Sequence, residues 1–206
     1  MKTGLAFATA VAACALVSVS AVAPAAAQSK YDFDLSKLTP AQRDEMYCVY
    51  DGIDDKDALS VAIVYTDASN SDENVEAAQK ILDAALSKCM TQYKWSGDDK
   101  DMAAQIGIAG VVNDVSVYLL DDAAKSLKVK PSDRVREVLD TLSDGDLDMI
   151  LAGIEQADDA FEKKLTAALS AKGITGDDAR ESAFHLMTAS VEAASTMHRW
   201  ISRKAR

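Results

Sequence analysis

Carboxylates are the most regularly spaced reactive groups in this chain. Asp144-Gly145-Asp146-Leu147-Asp148, followed by Glu155, sets acidic oxygens at positions 1, 3, 5 and 12 of a calcium-loop spacing. Position 6, where such a loop turns on glycine, is Met149, and Leu147, Ile150, Leu151 and Ile154 keep helical spacing through the string. The string is therefore read as the opening turn of a helix, where acids offset the positive end of the helix dipole. Asp51, Asp54, Asp55 and Asp57 are read the same way, and no metal or cofactor is expected.

His185 and His198 are the only histidines and stand 13 residues apart on one helical segment. At about 100° per residue they face different ways and cannot share a metal within one chain. Glu181 and His185, at i and i+4, could supply two ligands, but no third or fourth is in place. The chain has no nucleophile elbow, no His-Glu-x-x-His and no glycine-rich phosphate loop. A role in binding is expected, not catalysis.

The thiols suggest a structural bond. Of three cysteines, Cys14 lies in the N-terminal apolar segment, leaving Cys48 and Cys89, 41 residues apart. That separation is unlike a redox-active Cys-x-x-Cys, so a Cys48–Cys89 disulfide is expected in an oxidising compartment.

A different signal comes from Ala103, Gly107 and Gly110, a strip of small residues at i, i+4 and i+7 leading to Asn113 and Asp114. Each helix-interior glycine costs about 1 kcal/mol relative to alanine, so a compensating contact is expected there. The compensation is close passage of a neighbouring helix, a kink in the helix, or a groove for a small apolar ligand walled by these five residues. The C-terminal stretch His198 to Arg206 is basic and aromatic on an acidic protein. It suits the last turn of a helix, or docking to an acidic partner or a membrane surface.

These groups must be carried by helices, because the apolar spacing is helical throughout and no alternating run bounded by turns asks to be a strand. Seven helices are expected in one all-α domain over 39–206, after an extended lead-in, 28–38. Thr39-Pro40 opens the first, which runs to Asp51. The next cover Asp55 to Thr66, Ser71 to Trp95, and Asp99 to Leu127. The last of these is apolar on most sides, up to Tyr118 and Leu119, and is expected at the centre. A short fifth helix starts at Ser132, a sixth runs unbroken from about Asp144 to Gly173, and the last opens on a Thr175/Asp178 capping box.

The two halves also echo one another. Pro40-Ala41-Gln42-Arg43 parallels Pro131-Ser132-Asp133-Arg134, Ala84 to Ser87 parallels Ala167 to Ser170, and Gly97-Asp98-Asp99 parallels Gly176-Asp177-Asp178. The order is kept while the offset falls from 91 to 83 to 79, which suggests diverged repeat units 39–128 and 130–204. An interrupted helix pair in the first copy would then face one continuous helix in the second.

The first 27 residues read as a cleaved signal peptide: Lys2, an apolar stretch from Leu5 to Val19, and Ala25-Ala26-Ala27 before Gln28. A lipoprotein box at Val11-Ala12-Ala13-Cys14 is the alternative, but it would strand the apolar run Ala15 to Ala27 on the mature chain. The expected address is periplasmic or secreted, with no transmembrane segment after the signal. The net charge of −11 argues against nucleic acid and anionic lipid as general partners, and leaves protein partners open. The function expected is protein–protein interaction or envelope housekeeping; a periplasmic carrier holding a small apolar ligand between helices is the alternative.

Overall fold

The computed structural model describes residues 29–66, 70–154 and 158–205. The segment 1–27 read as a signal peptide, Cys14 within it, and Glu155 lie outside the described residues. A 3-10 turn, Leu35–Lys37, precedes α1 (Pro40–Asp51), α2 (Asp55–Thr66), α3 (Asp72–Tyr93), α4 (Gly97–Ala123), α5 (Pro131–Leu139), α6 (Asp144–Ala152), α7 (Asp159–Ala171) and α8 (Asp177–Lys204). The chain is a single all-α domain, with no strand among the described residues.

Capping chemistry sets most boundaries. Thr39 with Gln42, and Ser143 with Asp146, form reciprocal capping boxes on α1 and α6, and Ser71 and Ser96 cap α3 and α4. Several boundaries differ from expectation: the lead-in, expected to be extended, carries the Leu35–Lys37 turn, α3 stops at Tyr93, α4 opens at Gly97 and α5 at Pro131. The sixth helix is two helices: Gly153, at φ 104°, closes α6 with a conformation that suits glycine, and Asp158 caps α7 by accepting the Phe161 N–H. The Thr175/Asp178 box does not cap α8, because Gly176, at φ 95°, turns the chain into the helix one residue later. α4 ends at Ala123, short of Leu127.

α4 and α8 form the centre and run antiparallel: Asp98 meets Arg203 (2.9 Å), Gln105 meets Arg199 (2.8 Å) and Asn113 meets Ser190 (2.8 Å). Two apolar cores flank the pair. The first gathers α1 to α3 and the start of α4, around Met46, Val49, Val61, Leu82 and Ile106. The second gathers α5 to α7 and the start of α8, around Val135, Ile150, Leu165, Leu169 and Leu186. The long helices exchange their ends, since Leu120 and Ala124 of α4 lie in the second core and Met197, Trp200 and Ile201 of α8 in the first. This exchange joins the halves into one domain.

The halves correspond helix for helix. α1 and α5 both open on proline, α2 and α6 are short, and α4 and α8 are the longest, at 27 and 28 residues. Adding 80 to the buried positions of α4 gives a buried position of α8 in eight cases out of ten, among them Ala103/Ala183, Ile106/Leu186, Val111/Val191 and Leu120/Trp200. The glycine match had suggested 79. The N-caps Ser96 and Gly176 agree on 80, because Gly97 is the first residue of α4 whereas Gly176 precedes α8. The extra length of the first half lies in α3, 22 residues against 13 in α7, and not in an interruption that only one half carries.

The lead-in is strapped across both cores. Tyr31 is buried in the second, where Ser29 donates to Asp144 (2.7 Å), Lys30 pairs with Asp148 (2.5 Å) and the Tyr31 hydroxyl donates to Asp148. Leu38 is buried in the first, and between them the Asp32 carbonyl accepts from His198 Nδ1 (2.6 Å).

α4 also has the length and composition to cross a membrane, with a mean hydropathy of 1.4 over 18 residues. The core helix of a globular domain meets the same length and composition test. In this fold α4 is packed on α1, α2 and α8.

Candidate functional site

The small-residue strip of α4 meets the end of α1. A Cβ added to Gly107 would lie 2.6 Å from Val49 Cγ1 and 3.2 Å from the Tyr50 nitrogen; one added to Gly110 would lie 2.6 Å from Tyr50 Cδ2. Ala103 beside them is fully buried. Gly107 therefore admits the Val49 side chain and the α1 backbone behind it, Gly110 admits the Tyr50 ring, and Val49 and Tyr50 occupy the space the apolar-ligand reading would have used. Of the other two residues named with the strip, Asn113 turns to α8 and donates to Ser190, and exposed Asp114 accepts the Tyr50 hydroxyl. That bond, followed by burial, pushes the Tyr50 pKa up to about 12, so the phenol stays a neutral donor at any physiological pH.

Beyond the end of α1, the same face of α4 comes to the surface. Asp114, Val117, Tyr118, Asp121 and Asp122 line an open groove of about 560 Å³. Tyr118 is 74% exposed and its neighbour Leu119 45%, although the apolar run had placed both in the interior. Their outward position follows from α1 ending at Asp51 and from the short 124–130 connection, which leads directly into α5. Asp121 accepts the Ser132 N–H (3.3 Å) and so caps α5, whose own N-cap residue, Lys130, supplies no side-chain cap. The i, i+4, i+7 spacing of Asp114, Tyr118 and Asp121 marks one face and could have flagged the patch in advance.

A second groove, of about 730 Å³, runs between the start of α4 and the end of α8, lined by Asp98, Asp101, Met102, Gln105, His198, Arg199, Ser202 and Arg203. Its charges are largely spent on one another. Arg203 binds Asp98 (2.9 Å) and Asp99 (3.0 Å), Lys204 binds Glu45 (2.9 Å) and Asp99 (3.3 Å) while lying over the Trp200 ring, and Arg199 binds Gln105. The basic tail is therefore docked within the chain, against acids of α1 and the first turn of α4.

The acidic string is the first turn and a half of α6, with Met149 part of the helix. Asp146 completes the cap and pairs with Lys164 (2.6 Å), which with Ser143 holds its carboxyl down at about 2, while Asp144 and Asp148 bind the lead-in. His185 stands 3.8 Å from Glu181, and His198 is held by the lead-in, so the two histidines serve different contacts. Cys48 and Cys89 form a disulfide linking α1 to α3. Comparison of the chain with protein-family models, with curated proteins and with solved structures returns no match.

Proposed function

We propose that this is an exported helical protein that acts by binding another protein. The observation that carries this reading is Tyr118, which stands 74% exposed beside Leu119 at the end of the central, otherwise core-forming helix. Apolar surface displayed by a rigid core element is typical of an interaction site. The Cys48–Cys89 disulfide supports an oxidising compartment, as the N-terminal segment does. The carrier reading has less support, because Val49 and Tyr50 take up the space beside Gly107 and Gly110.

Native mass spectrometry of the protein purified from its own envelope fraction tests the choice. A co-purifying polypeptide is expected, and a stoichiometric small-molecule adduct on an otherwise free chain would move the assignment to the carrier. N-terminal sequencing of the same sample should begin at Gln28; a lipidated Cys14 would overturn the signal assignment.

A further inference from the structure

The Tyr118 face has a counterpart in the other half, and there it is covered. At the offset of 80 that aligns the buried positions of the long helices, Asp114, Val117, Tyr118 and Asp121 correspond to Ala194, Met197, His198 and Ile201. Met197 and Ile201 are buried in the first core, to which Leu38 of the lead-in also belongs. Tyr47 of α1 reaches the Met197 sulfur (3.8 Å) and the lead-in backbone takes the His198 N–H. On α8 this face is thus met by α1 at Met197 and by the lead-in at His198. On α4 it stays open, because α5 is preceded only by the connection 124–130, which follows α4 itself.

From this we propose that the Tyr118 face of α4 is the docking site for an extended, basic segment of a partner protein. The inference rests on the protein-interaction reading above. The shape argument is internal: in the same molecule the lead-in passes over the equivalent helix face at His198, through the non-helical stretch Asp32 to Asp34. The charge argument selects the occupant. Asp114, Asp121 and Asp122 rim the groove, and the last turn of α4 carries aspartates and no basic residue, against the negative end of its own dipole. Each carboxylate uses one oxygen within the chain, for Tyr50, Ser132 and Lys125 respectively. Lysine or arginine side chains from a partner would offset this charge while an apolar residue covers Tyr118. The molecule already makes such a contact at its other end, where Lys30 and Tyr31 of the lead-in both bind Asp148. A second copy of the chain is disfavoured as the occupant, since it would bring the same three aspartates to the contact.

Selection of a displayed library of random peptides, about a dozen residues long, on the full-length mature protein tests the proposal. The expected winners carry lysine or arginine around an aromatic or aliphatic residue, bind more weakly as salt rises, and lose roughly tenfold or more in affinity on Tyr118→Ala. Asp122→Asn should weaken them less, and Tyr65→Ala, at another exposed tyrosine, should leave them unchanged. Unaltered melting of the Tyr118→Ala protein shows that the loss is local. Winners indifferent to Tyr118→Ala would overturn this site and leave the interaction reading standing. Failure to enrich any peptide would overturn both, and a dimer that Tyr118→Ala dissolves would reassign the face to self-association.

Discussion

The two lobes order their helices alike and tie the first to the third by different chemistry. In the first, a covalent bond from Cys48 to Cys89 ties α1 to α3. In the second, the corresponding pair α5 and α7 is tied by Glu137, which sits between Arg134 (2.8 Å) and Lys172 (2.7 Å). The contrast extends to the long helices. α1 packs on α4 through Gly107 and Gly110, whose counterparts on α8 are Met187 and Ser190, and α1 lies against α4 more extensively than α5 against α8. The first lobe leaves the long helix bare there to admit Val49 and Tyr50 of α1, whereas the second carries side chains at those positions. The same connectivity therefore tolerates either a close, cross-linked packing or a looser one in which an apolar core is supplemented by exposed ion pairs.

Reduction should separate the lobes most sharply. For cysteines 41 residues apart, the chain-entropy model gives about 4 kcal/mol of stabilisation, an upper figure because native strain subtracts from it. A Cys48→Ser, Cys89→Ser double variant should lose most of that in urea unfolding. Hydrogen exchange should quicken in α1 to α3 well before α5 to α7, and uniform acceleration would mean that the lobes do not differ in this way.

Next in size is the glycine strip. Gly107→Leu should cost about 1–3 kcal/mol or more by forcing α1 from α4. Gly107→Ala should also destabilise, despite regaining about 1 kcal/mol of helix propensity. Its Cβ would meet fully buried Val49 at 2.6 Å and has the Tyr50 backbone behind it. Adding Val49→Ala should recover part of that loss in a double-mutant cycle; strict additivity would show that the contact is not the cause.

The second lobe should answer to pH and salt instead. Ser143→Ala removes the α6 cap and should cost about 1 kcal/mol, read from thermal melting. Asp146 belongs to the same cap, and its depressed pKa means that its stabilisation is present above the ordinary value of 3.8 and is lost as pH falls from there towards about 2. An acid titration of Lys164→Met should show a shallower loss through that window than the parent. The smallest effect is expected from Glu137→Gln. Glu137 is an exposed carboxylate held below its usual range first by Lys172 and then by Arg134, so its contribution should fade in high salt. A salt-independent effect would show that Glu137 acts by packing and not by charge.

Much of this organisation was legible before any fold. The starts of α1, α3 and α6, capped by Thr39, Ser71 and Ser143, are written in local capping chemistry, which needs only neighbouring residues. The break at Gly153 was not, because a helical apolar stripe continues across it from Ile150 to Phe161 and only the backbone angle reveals the turn. Tyr118 was misplaced for a related reason: spacing shows which residues share a face, but not how far the covering helix extends.

The sequence by itself determined the all-α class, most of the helix boundaries, the pairing of the only two cysteines after the N-terminal segment, and the echo between the halves. Each of these depends on local propensity, periodicity or counting. Only the tertiary structure decided that Val49 and Tyr50 fill the glycine strip, that the basic tail is spent on Glu45, Asp98 and Asp99, and that one of two equivalent helix faces is strapped while the other is open. Those outcomes depend on which distant segments meet, and a burial pattern along one helix carries no information about the length and course of the chain that covers it.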